Sequence, residues 1–283
     1  MKRKFTLIAL LYCLFSIAQD RIPYRIFDAA GHSVSYAKML REAQKNDVVL
    51  FGEYHNNSIV HWLELVFAKD MAAKTEIVLG AEMLETDNQS ALDQYLAGTI
   101  NQKQLDSLAR LWPNYTTDYK PLVDFAKENG LKFVATNIPR RYASSVYKGG
   151  FEALDDLSVE EKAFIAPLPI KYDPELSQYR KMVDEMAGHG GENLPKAQAV
   201  KDATMAWQIL KNRGSDAIFI HYNGTYHSDN HEGIFWYLKQ ENPTVRVVTF
   251  ATVSQDQLRT LDKRNYNKAD FIIVTDNDVT KTY

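Results

Sequence analysis

Residues 48–55 read Val-Val-Leu-Phe-Gly-Glu-Tyr-His, an apolar run that ends in a glycine followed by three titratable side chains. A continuous apolar run of this length predicts a strand, Val48 to Gly52, that is buried on both faces of a parallel sheet. Ligands of open parallel sheets bind beyond the carboxyl ends of the strands. The segment therefore predicts the fold class, and it places Glu53 and His55 at the rim where a ligand would bind.

Five further apolar runs resemble this first one, and helical periods lie between them. The other predicted strands are Ile77 to Glu82, Lys132 to Thr136, Ala217 to Tyr222, Val245 to Ala251 and Phe271 to Thr275. Apolar residues recur at spacings of three and four in the predicted helices Ser58 to Met71, Asn88 to Leu96, Gln102 to Leu111, Pro121 to Asn129 and Gly233 to Lys239. This alternation predicts an α/β fold, a mainly parallel β-sheet flanked by helices.

The connection between the third and fourth of these strands, residues 140–213, has helical periods but no convincing strand. We interpret it as a smaller helical insertion that packs beside the sheet. The predicted organisation is then an α/β core domain formed by residues 19–139 and 214–283, with residues 140–213 as a helical insertion subdomain.

The N-terminal residues have the pattern of a signal peptide. Met1-Lys2-Arg3-Lys4 is basic, the run from Phe5 to Phe15 is apolar, and Ser16-Ile17-Ala18 is a small-x-small cleavage site. We expect residues 1–18 to be removed and the protein to be exported, to the periplasm or out of the cell. The alternative, an anchor that keeps the protein membrane-associated, is disfavoured because a bilayer span needs roughly 20 apolar residues.

Composition excludes several kinds of protein and of site. With 45% hydrophobic and 24% charged residues, the chain has the make-up of a globular protein. Its formal charge of -3 gives no cationic field for nucleic acid. The single cysteine, Cys13, lies in the predicted signal peptide. A metal in the mature chain would therefore be bound by His, carboxylate, amide or Tyr side chains.

The ends of four predicted strands carry side chains that can bind metals or transfer protons. Glu53 and His55 follow the first strand, Glu82 ends the second, and His227 follows the fourth in a Gly-x-x-His turn that starts at Gly224. A carboxylate and an imidazole at one rim can bind a cation together, or act as acid and base. We predict that Glu53, His55, Glu82 and His227 lie in one cleft as metal ligands, with Glu53, His55 and His227 catalytic if the protein is a hydrolase.

A simpler interpretation stays open for these residues, in which Glu53 is a capping carboxylate, His55 a loop residue and His227 a structural hydrogen bonder. Because both histidines are predicted to stand in loops, replacing either with Ala should cost about 1 kcal/mol of stability or less. Gln198, Asp202 and Met205 recur on one face of a predicted helix from Pro195 to Asn212, which suggests a face turned toward the site or a partner.

The motifs in their order resemble the ChaN-like haem-binding family, part of the Tiki and erythromycin-esterase superfamily. The resemblance covers about Val34 to Ala251. It rests on Gly52-Glu53-Tyr54-His55-Asn56-Asn57 with His61, Glu82-Met83 before Asp87-Asn88-Gln89, Tyr119 to Phe125, Asn137-Ile138-Pro139-Arg140, Ala197-Gln198 with Asp202 and Met205-Ala206, and Gly224-Thr225-Tyr226-His227.

This resemblance implies haem as the cofactor or cargo and a role in iron or haem acquisition. It also implies a homodimer that holds a cofacial haem pair, and outer-membrane uptake partners. The residues expected to contact haem are His61, Arg140, Arg141, Tyr179 and His189, with the two arginines on the propionates and Tyr179 as the favoured axial ligand. The helical pattern around Tyr179 is more typical of ordinary core than of a haem ligand.

Two further functions stay open beside haem carriage. Tiki-like relatives imply a divalent-metal-dependent hydrolase that would use the Glu-x-His turn and His227. The same residues allow a third interpretation, a binding or scaffold protein that has kept the rim residues but performs no chemistry with them.

The signal peptide can be tested directly. Intact-mass analysis of the exported protein should give a chain that begins at Gln19, because Ala18 occupies the position before the cleavage site. A mass that includes residues 1–18 would contradict the prediction.

Overall fold

The computed structural model describes residues 22–185 and 191–283. The predicted signal peptide and His189 lie outside these residues. Within the described ranges, no helix combines the length and the apolar character that a membrane crossing requires.

The protein is built around one sheet, which within the described residues has eight strands. They are β1 (Tyr24–Asp28), β2 (Ser33–Val34), β3 (Val48–Glu53), β4 (Ile77–Glu85), β5 (Phe133–Asn137), β6 (Ile218–Gly224), β7 (Val247–Gln255) and β8 (Phe271–Asp276). Their order across the sheet is β2-β1-β8-β7-β3-β6-β4-β5. The strands from β8 to β5 pair in parallel, and only β1 and β2 add antiparallel edges. The predicted α/β fold with a mainly parallel sheet is confirmed.

Helices cover both faces of the sheet. In chain order they are α1 (Tyr36–Ala43), α2 (Ser58–Ala72), α3 (Gln89–Leu96), α4 (Gln102–Leu108), α5 (Lys120–Glu128), α6 (Arg140–Gly149), α7 (Val159–Lys162), α8 (Ser177–Glu185), α9 (Leu194–Asn212) and α10 (Ile234–Glu241). One face of the sheet packs against α1 to α5, with Phe51 and Phe67 at its centre. The opposite face packs against α9 and α10, where Leu50 and Phe219 meet Met205.

The strand β3 lies between β6 and β7 at the middle of the sheet. All six of its residues are buried, which agrees with the apolar run read from the sequence. The chain leaves β3 through a short loop, and α2 begins after Asn57, whose side-chain oxygen accepts hydrogen bonds from the backbone amides of Ile59 and Val60. The Asn57 amide nitrogen also donates to Thr275 at 2.9 Å. This cap fixes the position of the loop that carries His55.

Within its described ranges, 140–185 and 191–213, the segment 140–213 contains helices joined by turns and irregular stretches, and these ranges contain no strand. Its outer part has a small core of its own, in which Tyr142 and Val146 of α6 pack against Leu154. Its last helix, α9, contributes Ala197 and Val200 to this small core and also covers the sheet directly. The helical insertion is therefore anchored in the main core through α9.

The sequence-derived boundaries differ from the observed ones at the strand ends and at the N-terminus. β4 extends three residues beyond Glu82, to Glu85, so Glu82 lies within a strand rather than at its end. The short strands β1 and β2 and helix α1 had no predicted counterpart as regular elements, because each is short and only partly buried.

The role of α9 in the core can be measured. Met205 is completely buried against the sheet, so Met205→Ala should leave a cavity and lower the free energy of unfolding by about 2–5 kcal/mol. Urea unfolding would give this value, with Lys211→Ala on the exposed side of the same helix as the control, where the change should stay within about 0.5 kcal/mol. A loss as small as the control's would mean that α9 does not support the core.

Candidate functional site

A cleft opens at the carboxyl ends of β3 and β6, and its volume is about 920 Å³. We call it the rim cleft. Its walls come from the loop after β3, the turn after β6, helices α8 and α9, and residues 276–283. The lining residues are Glu53, Tyr54, His55, Asn56, Asn57, Met182, Leu194, Gln198, Gly224, Thr225, Tyr226, His227, Ser254, Asp276, Asn277, Val279, Lys281 and Tyr283.

One side of the rim cleft is organised by the carboxylate of Glu53. Its Oε1 atom lies 2.6 Å from Nδ1 of His55 and accepts a hydrogen bond of 2.8 Å from the hydroxyl of Tyr119. Tyr119 is supplied by a π-helical turn, Tyr115–Tyr119, a feature found often at functional sites. The His55 ring packs edge-on against Trp112 with centroids 4.8 Å apart. His55 is therefore held by its Nδ1 atom while 31% of its side chain stays exposed.

The charges on this side follow from burial and hydrogen bonding. Burial alone would raise the pKa of Glu53, but the hydrogen bond with His55 and the close charge of His61 outweigh it and lower the pKa to about 2. Burial lowers the pKa of His55, but the hydrogen bond to Glu53 and the nearby charge of Glu82 raise it by more. The pKa of His55 is therefore raised above its usual value. Glu53 is thus a buried carboxylate that stays ionised at neutral pH.

The other side of the rim cleft is organised by His227. Its Nε2 atom lies 3.1 Å from Oε1 of Glu82, and its Nδ1 atom contacts Oδ1 of Asp202. Gln198 also approaches the ring, and Tyr179 donates a hydrogen bond of 2.8 Å to the second oxygen of Asp202. Burial lowers the pKa of His227, but the charges of Glu82 and Asp202 reverse this and raise it to about 10. His227 is therefore a buried imidazolium between two carboxylates.

The two sides meet at Gly224. Its amide donates a hydrogen bond of 2.7 Å to Oε2 of Glu82. A Cβ atom at this position would lie only 2.7 Å from Nε2 of His55. Glycine is therefore required for His55 to approach Glu82 and His227 across the end of β6.

The four residues predicted as metal ligands do lie around one cleft, because Glu53, His55 and His227 line it and Glu82 contacts His227. They do not form one ligand group. His55 is bonded to Glu53, whereas His227 is bonded to Glu82, so each imidazole already faces a carboxylate. His227 does stand in the turn after β6, but only 5% of the residue is exposed, so it is not the exposed loop residue from which a small stability loss was expected.

Most residues predicted to contact haem lie elsewhere. His61 and Tyr179 are buried, at 7% and 1% exposure, and both are bonded to carboxylates. Tyr179 belongs to the core beneath α9, which explains its helical periodicity. Arg140 and Arg141 are exposed at the start of α6 and do not line the rim cleft, and Arg141 pairs with Asp87. The lysine that lines this cleft is Lys281.

A second cluster, which was not predicted from the sequence, lies behind Glu53. Nδ1 of His61 lies 3.0 Å from Oε2 of Glu53 and 3.2 Å from Oε2 of Glu64. Burial lowers the pKa of His61, but its close contacts with these two carboxylates raise it to about 11. Glu64 follows His61 by three residues on α2, a spacing that places two side chains on one helix face. That spacing was the available signal.

The fold is shared with solved structures of low sequence identity. ChaN of Campylobacter jejuni, solved with cofacial haem, superposes with a TM-score of 0.68 at 17% identity, over 89% of this chain and 96% of that one. A Bacillus cereus protein superposes with a TM-score of 0.51 at 12% identity, over 84% of this chain and 90% of that one.

Sequence comparison adds one curated relative and a family. The chloroplastic protein RETICULATA-RELATED 5 of Arabidopsis thaliana is 23% identical over 146 residues, and the match spans 48% of this chain but only 20% of that protein. The family described as haem-binding uptake, Tiki superfamily, ChaN matches residues 39–238, which is more than half of the chain. The protein therefore belongs to this ChaN family of the Tiki superfamily.

Proposed function

We propose that this protein binds haem in the rim cleft and that His55 is the axial ligand of the iron. The observation that carries the proposal is the state of His55, whose Nδ1 atom is held by Glu53 while its ring forms part of the cleft wall. Membership of a haem-binding family supplies the ligand class.

The dimensions and lining of the rim cleft suit a large, flat, mostly apolar ligand. Its volume of about 920 Å³ lies near the upper end of the roughly 300–1,000 Å³ typical of small-molecule pockets. Met182, Leu194 and Val279 give it apolar surface, and Tyr54 and Tyr226 add aromatic surface. Lys281 supplies a cation for a propionate, the role that was predicted for Arg140 and Arg141.

The hydrogen bond between His55 and Glu53 prepares the imidazole for a metal. A histidine ligand commonly donates its second ring N–H to a carboxylate, which fixes the tautomer and raises the basicity of the other nitrogen. With the proton on Nδ1 directed at Glu53, the lone pair of His55 belongs to Nε2. Bound haem would supply an iron centre for that nitrogen.

Hydrolysis with His227 as the general base has less support. A general base must have a free nitrogen to accept a proton, but both ring nitrogens of His227 are engaged by Glu82 and Asp202. The family comparison also favours haem over hydrolysis.

The compartment and the partners form a wider part of the proposal. A signal peptide at residues 1–18 would deliver the protein to the cell envelope or beyond, where haem is acquired. A homodimer and outer-membrane uptake partners fit that role, and size-exclusion chromatography with and without haemin would test the dimer.

Replacement of His55 tests the haem proposal. Titration of the purified protein with haemin should give a saturable Soret band, and His55→Ala should shift that band and weaken binding by about tenfold or more, because the iron loses its protein ligand. The same change should lower the free energy of unfolding by only about 1 kcal/mol, since the ring is partly exposed.

His32→Ala is the matched control, because His32 is an exposed histidine with 78% of its side chain accessible. Its haemin titration should match that of the wild type. An unchanged spectrum and affinity in His55→Ala would remove His55 from the haem site.

The buried imidazolium of His227 generates a prediction about stability. His227→Gln should lower the free energy of unfolding at pH 6 by about 3–5 kcal/mol, because it leaves Glu82 and Asp202 buried without their cation. Chemical unfolding of this variant beside His32→Gln would measure the difference. A loss no larger than that of His32→Gln would mean that the Glu82–His227–Asp202 contacts do not support the fold.

The pH dependence of the wild type follows from the same contacts. The pKa values of His227 and His61 are raised to about 10 and about 11, whereas histidine in an unfolded chain titrates near about 6.5. The two protonated histidines stabilise the folded protein fully below about pH 6.5. This stabilisation is lost as the pH rises toward their pKa values in the folded protein. The unfolding free energy should therefore fall between about pH 6.5 and 9, by about 1.4 kcal/mol per pH unit for each histidine. A flat or rising profile in this range would contradict the assignment.

A further inference from the structure

Glu53, His61 and Glu64 form a compact group that the haem proposal does not use beyond one oxygen of Glu53. One ligand atom from each of the three side chains lies within 4.8 Å of the others. The residues are 1%, 7% and 0% exposed. Two carboxylates and one imidazole are thus gathered out of contact with water, which is a costly arrangement unless their charges are balanced.

Two oxygen atoms in this group lack a hydrogen-bond partner within the described part of the chain. They are Oε2 of Glu53 and Oε1 of Glu64. The Nδ1 atom of His61 lies near both carboxylates, but the geometry of its hydrogen bond points to Oε2 of Glu64. Native proteins rarely leave buried carboxylate oxygens unpaired, and an ion is one of the usual reasons when they do.

The other side of the His61 ring has the environment of a metal-bound histidine. Nε2 lies 3.2 Å from the backbone carbonyl of His55 and 3.6 Å from Oδ2 of Asp118. Both neighbours are oxygen acceptors, so Nε2 keeps its proton, and Nδ1, which faces the two carboxylates, is the nitrogen that would exchange its proton for a metal ion. Histidine ligands are oriented in this way, by an N–H donated to a carbonyl or carboxylate.

The carboxylate of Glu53 is oriented just as firmly. Its Oε1 atom faces His55 and Tyr119, at 2.6 and 2.8 Å, and this leaves Oε2 directed toward His61. The separations of 3.0 and 3.2 Å between Nδ1 of His61 and the two carboxylate oxygens are close to those between neighbouring ligands of a cation bound at about 2.0–2.2 Å.

We propose that Glu53, His61 and Glu64 bind a divalent transition-metal ion in a buried site behind the rim cleft. When the ion displaces the Nδ1 proton of His61, two carboxylates and one neutral imidazole balance its charge of +2. One nitrogen and two oxygens suit Zn²⁺ and its neighbours in the first transition row, whereas Mg²⁺ prefers oxygen ligands and keeps much of its water.

This site differs from the four-residue set predicted from the sequence, with which it shares only Glu53. It also stands apart from the haem proposal, because His61 and Glu64 do not line the rim cleft. The two proposals can therefore fail separately.

Zinc retention tests the site. The protein, stripped with a chelator, is dialysed against Zn²⁺ and then against metal-free buffer, and its zinc is measured by elemental analysis. We expect the wild type to retain one equivalent of zinc per chain. When Mg²⁺ replaces Zn²⁺ in the same treatment, we expect the protein to retain no magnesium. Glu64→Gln should weaken zinc binding by more than about 100-fold. Loss of a residue that only supports a metal ligand typically weakens metal binding by about 10–100-fold, so a larger effect indicates a direct ligand.

Glu64→Gln should still fold, because glutamine matches glutamate in size and removes a charge whose burial is unfavourable. Burial and the charge of Glu53 both raise the pKa of Glu64. Circular dichroism of the variant would verify the fold.

Glu82→Gln is the matched control, since it makes the same change in a buried carboxylate that contacts His227 instead of His61. It should retain its equivalent of zinc. Failure of the wild type to retain zinc would overturn the proposal. Loss of zinc from Glu82→Gln but not from Glu64→Gln would overturn it too, in favour of the four-residue set.

A second measurement needs no variant. Crystals soaked in Zn²⁺ and measured at the zinc absorption edge should show an anomalous difference peak between Glu53, His61 and Glu64. A sole peak elsewhere, or none at full zinc saturation, would overturn the assignment.

Discussion

The carboxylate of Glu53 is the group on which the site depends. It is the last residue of β3, the central strand of the sheet, and the packing around that strand leaves it 1% exposed. A buried carboxylate has to be matched by donors or cations. Glu53 meets this requirement with His55 and Tyr119 on one oxygen and His61 beside the other. These contacts set the positions of the rim histidine and of the cluster behind it.

The sheet topology places the turn after β6 beside the residues that Glu53 organises. β6 lies next to β3 in parallel, so the turn after β6 emerges beside the loop after β3. The absence of a side chain at Gly224 then lets the His55 ring approach the backbone there. On the far side of this contact, Glu82, His227 and Asp202 form a rigid ionic group. The imidazole of His227 is therefore held on both sides by carboxylates, whereas that of His55 is partly exposed. This contrast suits His227 to a structural role and His55 to ligand binding.

Charge and burial divide the site into layers of different chemistry. The rim cleft is wide and largely apolar, with His55 in its wall, and these properties suit haem. Behind it, His61 and Glu64 lie beyond the reach of a ligand of that size but close enough to share Glu53. A cation in the buried layer would face the same carboxylate that orients the ligand of the outer layer.

The sequence by itself determined the parallel α/β fold, because buried strands such as Val48–Glu53 leave long apolar runs that alternate with helical periods. It also determined that Glu53, His55 and His227 share one rim, since the carboxyl ends of parallel strands lie on one edge of a sheet. The family followed from the order of these motifs.

Only the tertiary structure decided which groups face each other. Tyr179 had the spacing of a ligand-bearing helix, but packing against the sheet buries it with its hydroxyl on Asp202. His227 was predicted to be a loop residue, but α9 covers it and brings Asp202 to its ring. The physical reason is that spacing along the chain defines a strand end or a helix face, whereas ion pairs and burial depend on distances between elements far apart in sequence.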